Sequence, residues 1–129
     1  MPLSDRDLLI YAAAGFAVWL FGALEFRWLG GAMFENGALI TALAAASIAL
    51  SVCLLYRSAM RWRGTAMDQA VTVAVVMALP GLFGEAARQL VFGWATGLKP
   101  ETEPAFVATI IFGNAVLLAY AVFRQRAAG

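Results

Sequence analysis

Residues 37–56 read GALITALAAASIALSVCLLY, twenty positions in succession without a charged side chain. A helix needs about 20 predominantly apolar residues to cross the ~30 Å hydrocarbon core of a bilayer, and this stretch has that length and character. Three further stretches repeat the pattern. Residues 8–24 are uncharged and continue in kind to about Leu29; residues 69–84 are uncharged and run on past Glu85 to about Phe92; residues 104–123 are again uncharged. The spans expected are therefore about 8–29, 37–56, 68–92 and 104–123. Together they leave no room for a soluble domain in a chain of 129 residues.

The totals agree. The chain is 63% hydrophobic and 13% charged, with a mean hydropathy of +0.80, against about 45–50% apolar and about 25% charged in soluble domains. So small a chain cannot hide such a surplus in an interior. A water-soluble monomer, a disordered segment and a nucleic-acid binder are excluded. The fold class expected is all-α: an integral membrane four-helix bundle, up-down-up-down, in one domain over residues 1–129. The first span reads as retained rather than as a cleaved signal peptide, because Asp5 and Asp7 flank Arg6 and its apolar run is too long for a signal h-region. Gly30-Gly31 and Asn36-Gly37 bound the first loop, Arg63-Gly64 closes the second, and residues 97–104 form the third.

Orientation follows from Lys and Arg in the short loops. Arg6, Arg57, Arg61, Arg63, Arg124 and Arg126 fall on one side and Arg27, Arg88 and Lys99 on the other, six of the nine basic residues against three. Both termini are thus expected to be cytoplasmic. Tyr11, Tyr56, Trp62 and Tyr120 then fall at the inner interface and Trp28 and Trp94 at the outer one, as an aromatic belt. Trp19 sits mid-span, where it faces lipid or packs, or else meets a bound pigment or apolar ligand.

The chain has no His and a single cysteine, Cys53. That removes His-ligated haem, zinc sites of the usual kind and His-paired nucleophiles. With no phosphate loop, HExxH, GxSxG or CxxC in the sequence, no catalytic residue, cofactor or metal site is assigned, and an enzyme is not expected. The bilayer is the one certain partner; a homo-oligomer or a larger membrane complex is the expected setting.

Four ionisable residues fall inside the spans: Glu25, Arg27, Glu85 and Arg88. Such residues are costly in a membrane and usually face protein. Glu25 and Glu85 each lie about 25 Å along their helix from the span start, at similar depth if spans one and three run the same way. Glu85 and Arg88, at i, i+3, can meet on one face. Glu25 and Arg27, at i, i+2, point about 160° apart and need outside partners. Packing span one against span three offers Arg27–Glu85 and Glu25–Arg88, an ionic cluster under the outer surface. The competing reading makes Glu25 and Glu85 a transport or proton-relay pair.

Pro80-Gly81 interrupts the third span and predicts a kink, with the freed carbonyl near Val76 seeking a donor. Mid-membrane Asn114 is one candidate, with Thr41, Ser47 and Ser51 as others. Alanines recur every four residues at Ala38, Ala42 and Ala46 and at Ala70, Ala74 and Ala78, a spacing that lets helices approach closely. Packing within the chain is the expected use, a dimer face the alternative.

Three segments carry a family resemblance: WLFGALEFRWLG (19–30), ALPGLFGEAARQLVF (78–92) and GLKPETEPAFVATIIFGNAVLLAYAVF (97–123). They resemble an uncharacterised bacterial four-span family, the domain of unknown function five-three-six-seven. The resemblance implies the four-span architecture, points to Arg27, Pro80, Gly81 and Glu85, and implies no activity. The chain departs from the family's habit at Glu85, where Asp is usual, and near Asn114, where an aromatic residue is. A bacterial origin, and with it the inner (cytoplasmic) membrane of the cell, follows as an expectation.

Overall fold

The computed structural model describes residues 2–91 and 102–129; Trp94 and Lys99 lie outside them. Among the described residues the chain forms four α-helices: α1 (Asp5–Phe34), α2 (Ala38–Arg63), α3 (Ala70–Leu90, entered through a 3-10 turn at Met67–Gln69) and α4 (Glu103–Ala128). All four are long and apolar enough to cross a membrane. At 1.5 Å per residue, the 30 residues of α1 span about 45 Å, longer than the ~30 Å hydrocarbon core.

Their boundaries follow local chemistry. Ser4 accepts the Asp7 N–H at 3.1 Å and its hydroxyl donates to the Asp7 carboxylate at 2.7 Å, a side-chain N-cap at the start of α1. Gly37, at φ 103°, stands before α2, and Gly64, at φ 65°, ends it. With Gly64 N–H on Arg61 O and Thr65 N–H on Met60 O, α2 closes in a Schellman motif that needs the left-handed glycine. The α4 side chain of Gln125 accepts the Val71 N–H at 2.9 Å, satisfying an orphan donor in the first turn of α3.

The helices alternate in direction, but their neighbours are not simply consecutive. Helix α1 lies most extensively along α3, and α4 lies along both α2 and α3, while α1–α4 and α2–α3 are the thin diagonals. Each diagonal is braced by aromatics. At the end that carries both termini, the Tyr56 hydroxyl donates to Ala70 O at 2.8 Å; at the opposite end, Phe26 meets Phe106 edge-on at 4.6 Å.

The main core sits at the terminus-bearing end, around Tyr11, Tyr56, Met60, Val73, Met77 and Leu117. Tyr11 and Tyr56 are therefore core residues, with exposures of 0% and 2%, rather than members of an interfacial belt. Their hydroxyls have protein partners, Thr65 Oγ1 and Ala70 O, which is what permits full burial. Trp28 and Trp62 are exposed, at 75% and 73%.

Two other expectations are corrected. Gly30-Gly31 does not end the first helix, which continues to Phe34. Gly30 is buried on the same face, between Phe26 and Phe34, whose rings stack at 4.9 Å. The two alanine stripes also differ: Ala70, Ala74 and Ala78 are buried, whereas Ala38, Ala42 and Ala46 are exposed. The inward face of α2 carries Ala49, Tyr56 and Met60 instead.

Candidate functional site

The inward face of α1 alternates aromatic residues with glycines: Tyr11, Gly15, Trp19, Gly22, Phe26, Gly30, at helical spacings of three and four. Of these glycines, Gly15 sets how close α3 comes. A Cβ added to Gly15 would stand 1.9 Å from the Met77 carbonyl oxygen, so backbone meets backbone there. One turn on, Trp19 lies in a cradle on α3. A Cβ on Gly81 would be 3.4 Å from the Trp19 side chain, and one on Gly84 3.0 Å from its ring. Mid-span Trp19 is thus a packing residue, and its indole Nε1 donates to Glu85 Oε2 at 3.3 Å.

Glu85 and Arg88 form the i, i+3 pair on α3, 2.6 Å between Arg88 Nη2 and Glu85 Oε1. Both are buried. The same guanidinium grips Glu103, in the first turn of α4, through Nη1 at 3.0 Å and Nη2 at 2.8 Å. It lies over the Phe106 ring at 4.6 Å, and Gln89 donates to both carboxylates. Planar and always charged, a guanidinium can hold two carboxylates at once and stack on an aromatic face. Arg88 therefore ties α3 to α4, and Trp19 ties α1 to the same carboxylate.

The crossed pairs expected from sequence, Arg27–Glu85 and Glu25–Arg88, are not the contacts that Glu85 and Glu25 make. Phe26 takes the inward position of α1, and successive helix residues turn by about 100°. Residues 25 and 27 are thereby carried to either side, and both are exposed. Helix α3 does run as one α-helix through Pro80. The side chains proposed to answer its freed carbonyl mostly turn to their own helices: Asn114 to Ile110 O, Thr41 to Gly37 O and Ser51 to Ser47 O.

Below the clasp lies a cavity of ≈ 70 Å³ between the four helices, lined among others by Trp19, Glu25, Gly81 and Asn114. It adjoins a larger groove of ≈ 730 Å³ between α1 and α2. Val18, Gly22, Glu25, Ile48 and Val52 line both. Of the intramembrane carboxylates, Glu85 belongs to the clasp and Glu25 to the cavity. No group of three or more potential metal ligands occurs among the described residues.

A family model matches residues 33–128, almost three quarters of the chain, and its description is a family of unknown function, DUF5367. The chain belongs to that family. The DUF5367 match opens in the last turn of α1 and takes in α2, α3 and α4. Glu85, Arg88 and Glu103 thus fall within it; Trp19, Glu25 and Arg27 precede it. No curated protein and no solved structure matches the chain.

Within this DUF5367 chain the partner that sequence reasoning missed is Glu103. It stands in the run KPETEP, which reads as loop. The available signal was an acidic residue beside Pro104 at a helix start, where the helix dipole favours negative charge.

Proposed function

We propose that this DUF5367 chain is a non-enzymatic membrane subunit that works by associating with other membrane chains, in a homo-oligomer or a larger complex. The observation that carries the reading is the outward stripe Ala38, Ala42 and Ala46 on α2. Small residues at this interval let a second helix approach closely, and among the described residues all three alanines stay exposed. The buried charges support it from the other side. Glu85 and Glu103 share Arg88, an arrangement suited to holding helices together rather than to exchanging protons. With six basic residues at the terminus-bearing end, the positive-inside rule favours that end as cytoplasmic, in the cell's inner membrane.

The test is crosslinking in proteoliposomes with single-cysteine chains. In a Cys53→Ser background, Ala42→Cys is expected to give disulfide-linked dimers. Phe83→Cys, on an exposed position of α3, is expected to give few. Equal yields at both positions, or none at Ala42, would contradict self-association.

A second reading, a small proton- or solute-coupled carrier, is favoured by one observation: Glu25 lines the central cavity. It narrows the expected Glu25–Glu85 pair to Glu25 alone. A carrier would show flux in liposomes that Glu25→Gln abolishes; absence of proton or solute flux in the native chain counts against it.

A further inference from the structure

We propose that the groove between α1 and α2 is a binding site for an amphiphilic organic cation, held by Glu25. The inference goes beyond both readings above, because such binding requires neither association nor transport.

The groove exists because the two facing surfaces are small. Ala14, Ala17 and Gly22 on α1 oppose Ala44, Ser47 and Ser51 on α2, so the helices touch without filling the space between them. Its ≈ 730 Å³ lies within the range of about 300–1,000 Å³ typical of small-molecule sites. At Glu25 it meets the central cavity, which Trp19 also lines, and exposed Phe21 supplies aromatic surface on the groove side.

Charge selects the occupant. Glu25 is the one charged residue lining either space among the described residues. Among those residues it makes no ion pair or hydrogen bond. The neighbouring donors are largely turned inward: Ser51 onto Ser47 O, Thr109 onto Ala105 O and Asn114 onto Ile110 O. What remains toward the space is a carboxylate, further oxygen acceptors and aromatic rings. That set attracts a cation and offers little to an anion. An apolar wall with a single carboxylate suits a cation whose charge is wrapped in hydrocarbon, one that reaches the groove through the bilayer.

The experiment uses the full chain in nanodiscs of zwitterionic lipid, titrated with tetraphenylphosphonium by equilibrium dialysis. Empty discs correct for partition. Saturable binding of one cation per chain is expected, weakened about ten-fold or more by Glu25→Gln and unchanged by Asp68→Asn, which alters an acid at the other end of the bundle. Tetraphenylborate, of the same shape and opposite charge, is expected not to saturate. Should Glu25→Gln fail to fold, the native chain provides the second measurement: carbodiimide labelling of Glu25, mapped by peptide mass, is expected to fall as the cation is added. Equal binding by Glu25→Gln, equal binding of the borate, uptake no greater than in empty discs, or labelling indifferent to the cation would each overturn the proposal.

Discussion

Gly15 on α1 and Met77 on α3 meet so closely that the glycine hydrogen occupies the only space available. A Cβ there would lie 1.9 Å from the Met77 carbonyl oxygen, and backbone cannot move aside as a flexible side chain can. Overpacking of this kind costs typically about 1–3 kcal/mol. Gly15→Ala is expected to destabilise the bundle by that order, read as unfolding in a mixed-micelle titration. Gly22, two turns away on the same face, has nothing within 4 Å of an added Cβ. Gly22→Ala should leave stability unchanged or raise it slightly through helix propensity. Equal losses at the two positions would contradict the close α1–α3 approach.

Trp19 offers a test of the cradle formed by Gly81 and Gly84. Trp19→Phe keeps an aromatic body but loses the indole donor to Glu85, a 3.3 Å bond, and is expected to cost about 0.5–1.5 kcal/mol. Trp19→Ala empties the cradle and should cost about 3–5 kcal/mol. The same unfolding titration ranks them. If Trp19→Ala were as mild as Trp19→Phe, the ring would not be packing against α3.

The two ends of the bundle should respond differently to charge removal. Asp7 and Arg63 pair at 2.6 Å, but their side chains remain 21% and 24% exposed. Water screens such a pair, so Asp7→Asn is expected to have a small effect. Arg88, 2% exposed, has no such recourse. Arg88→Gln leaves two carboxylates facing each other and is expected to cost about 3–5 kcal/mol. Comparable losses for the two variants, measured side by side, would argue against a buried clasp.

Orientation is tested by reporters fused to each terminus. Cytoplasmic termini predict a fluorescent protein that matures at both ends and an export-dependent phosphatase that is inactive at both. An active phosphatase at either terminus would reverse the charge-based reading of the six basic residues.

Much of the fold was legible because the bilayer imposes a simple rule on sequence. Residues 37–56 declare a span by length and absence of charge alone, and four such stretches in a short chain leave one architecture. Contacts were less legible, because they depend on helix rotation, which a nearly uniform apolar pattern does not specify. Tyr11 and Tyr56 illustrate this: their place near a span end suited an interface, yet both are buried, with their hydroxyls on Thr65 and Ala70. Glu25 and Arg27 illustrate it again, since a single inward residue, Phe26, turns both aside. Glu85 and Arg88 were paired correctly because i, i+3 geometry is local. Glu103 was not anticipated, since it reaches them only through the packing of α3 on α4.

The clasp itself is most directly tested by a double-mutant cycle on Arg88 and Glu103, whose atoms lie 2.8 Å apart. Unfolding free energies of Arg88→Gln, Glu103→Gln and the double variant would be measured in the same bilayer mimic. A working clasp predicts that the double variant loses clearly less than the sum of the singles, with a coupling of about 1–3 kcal/mol. Losses that add to within about 0.5 kcal/mol would contradict it.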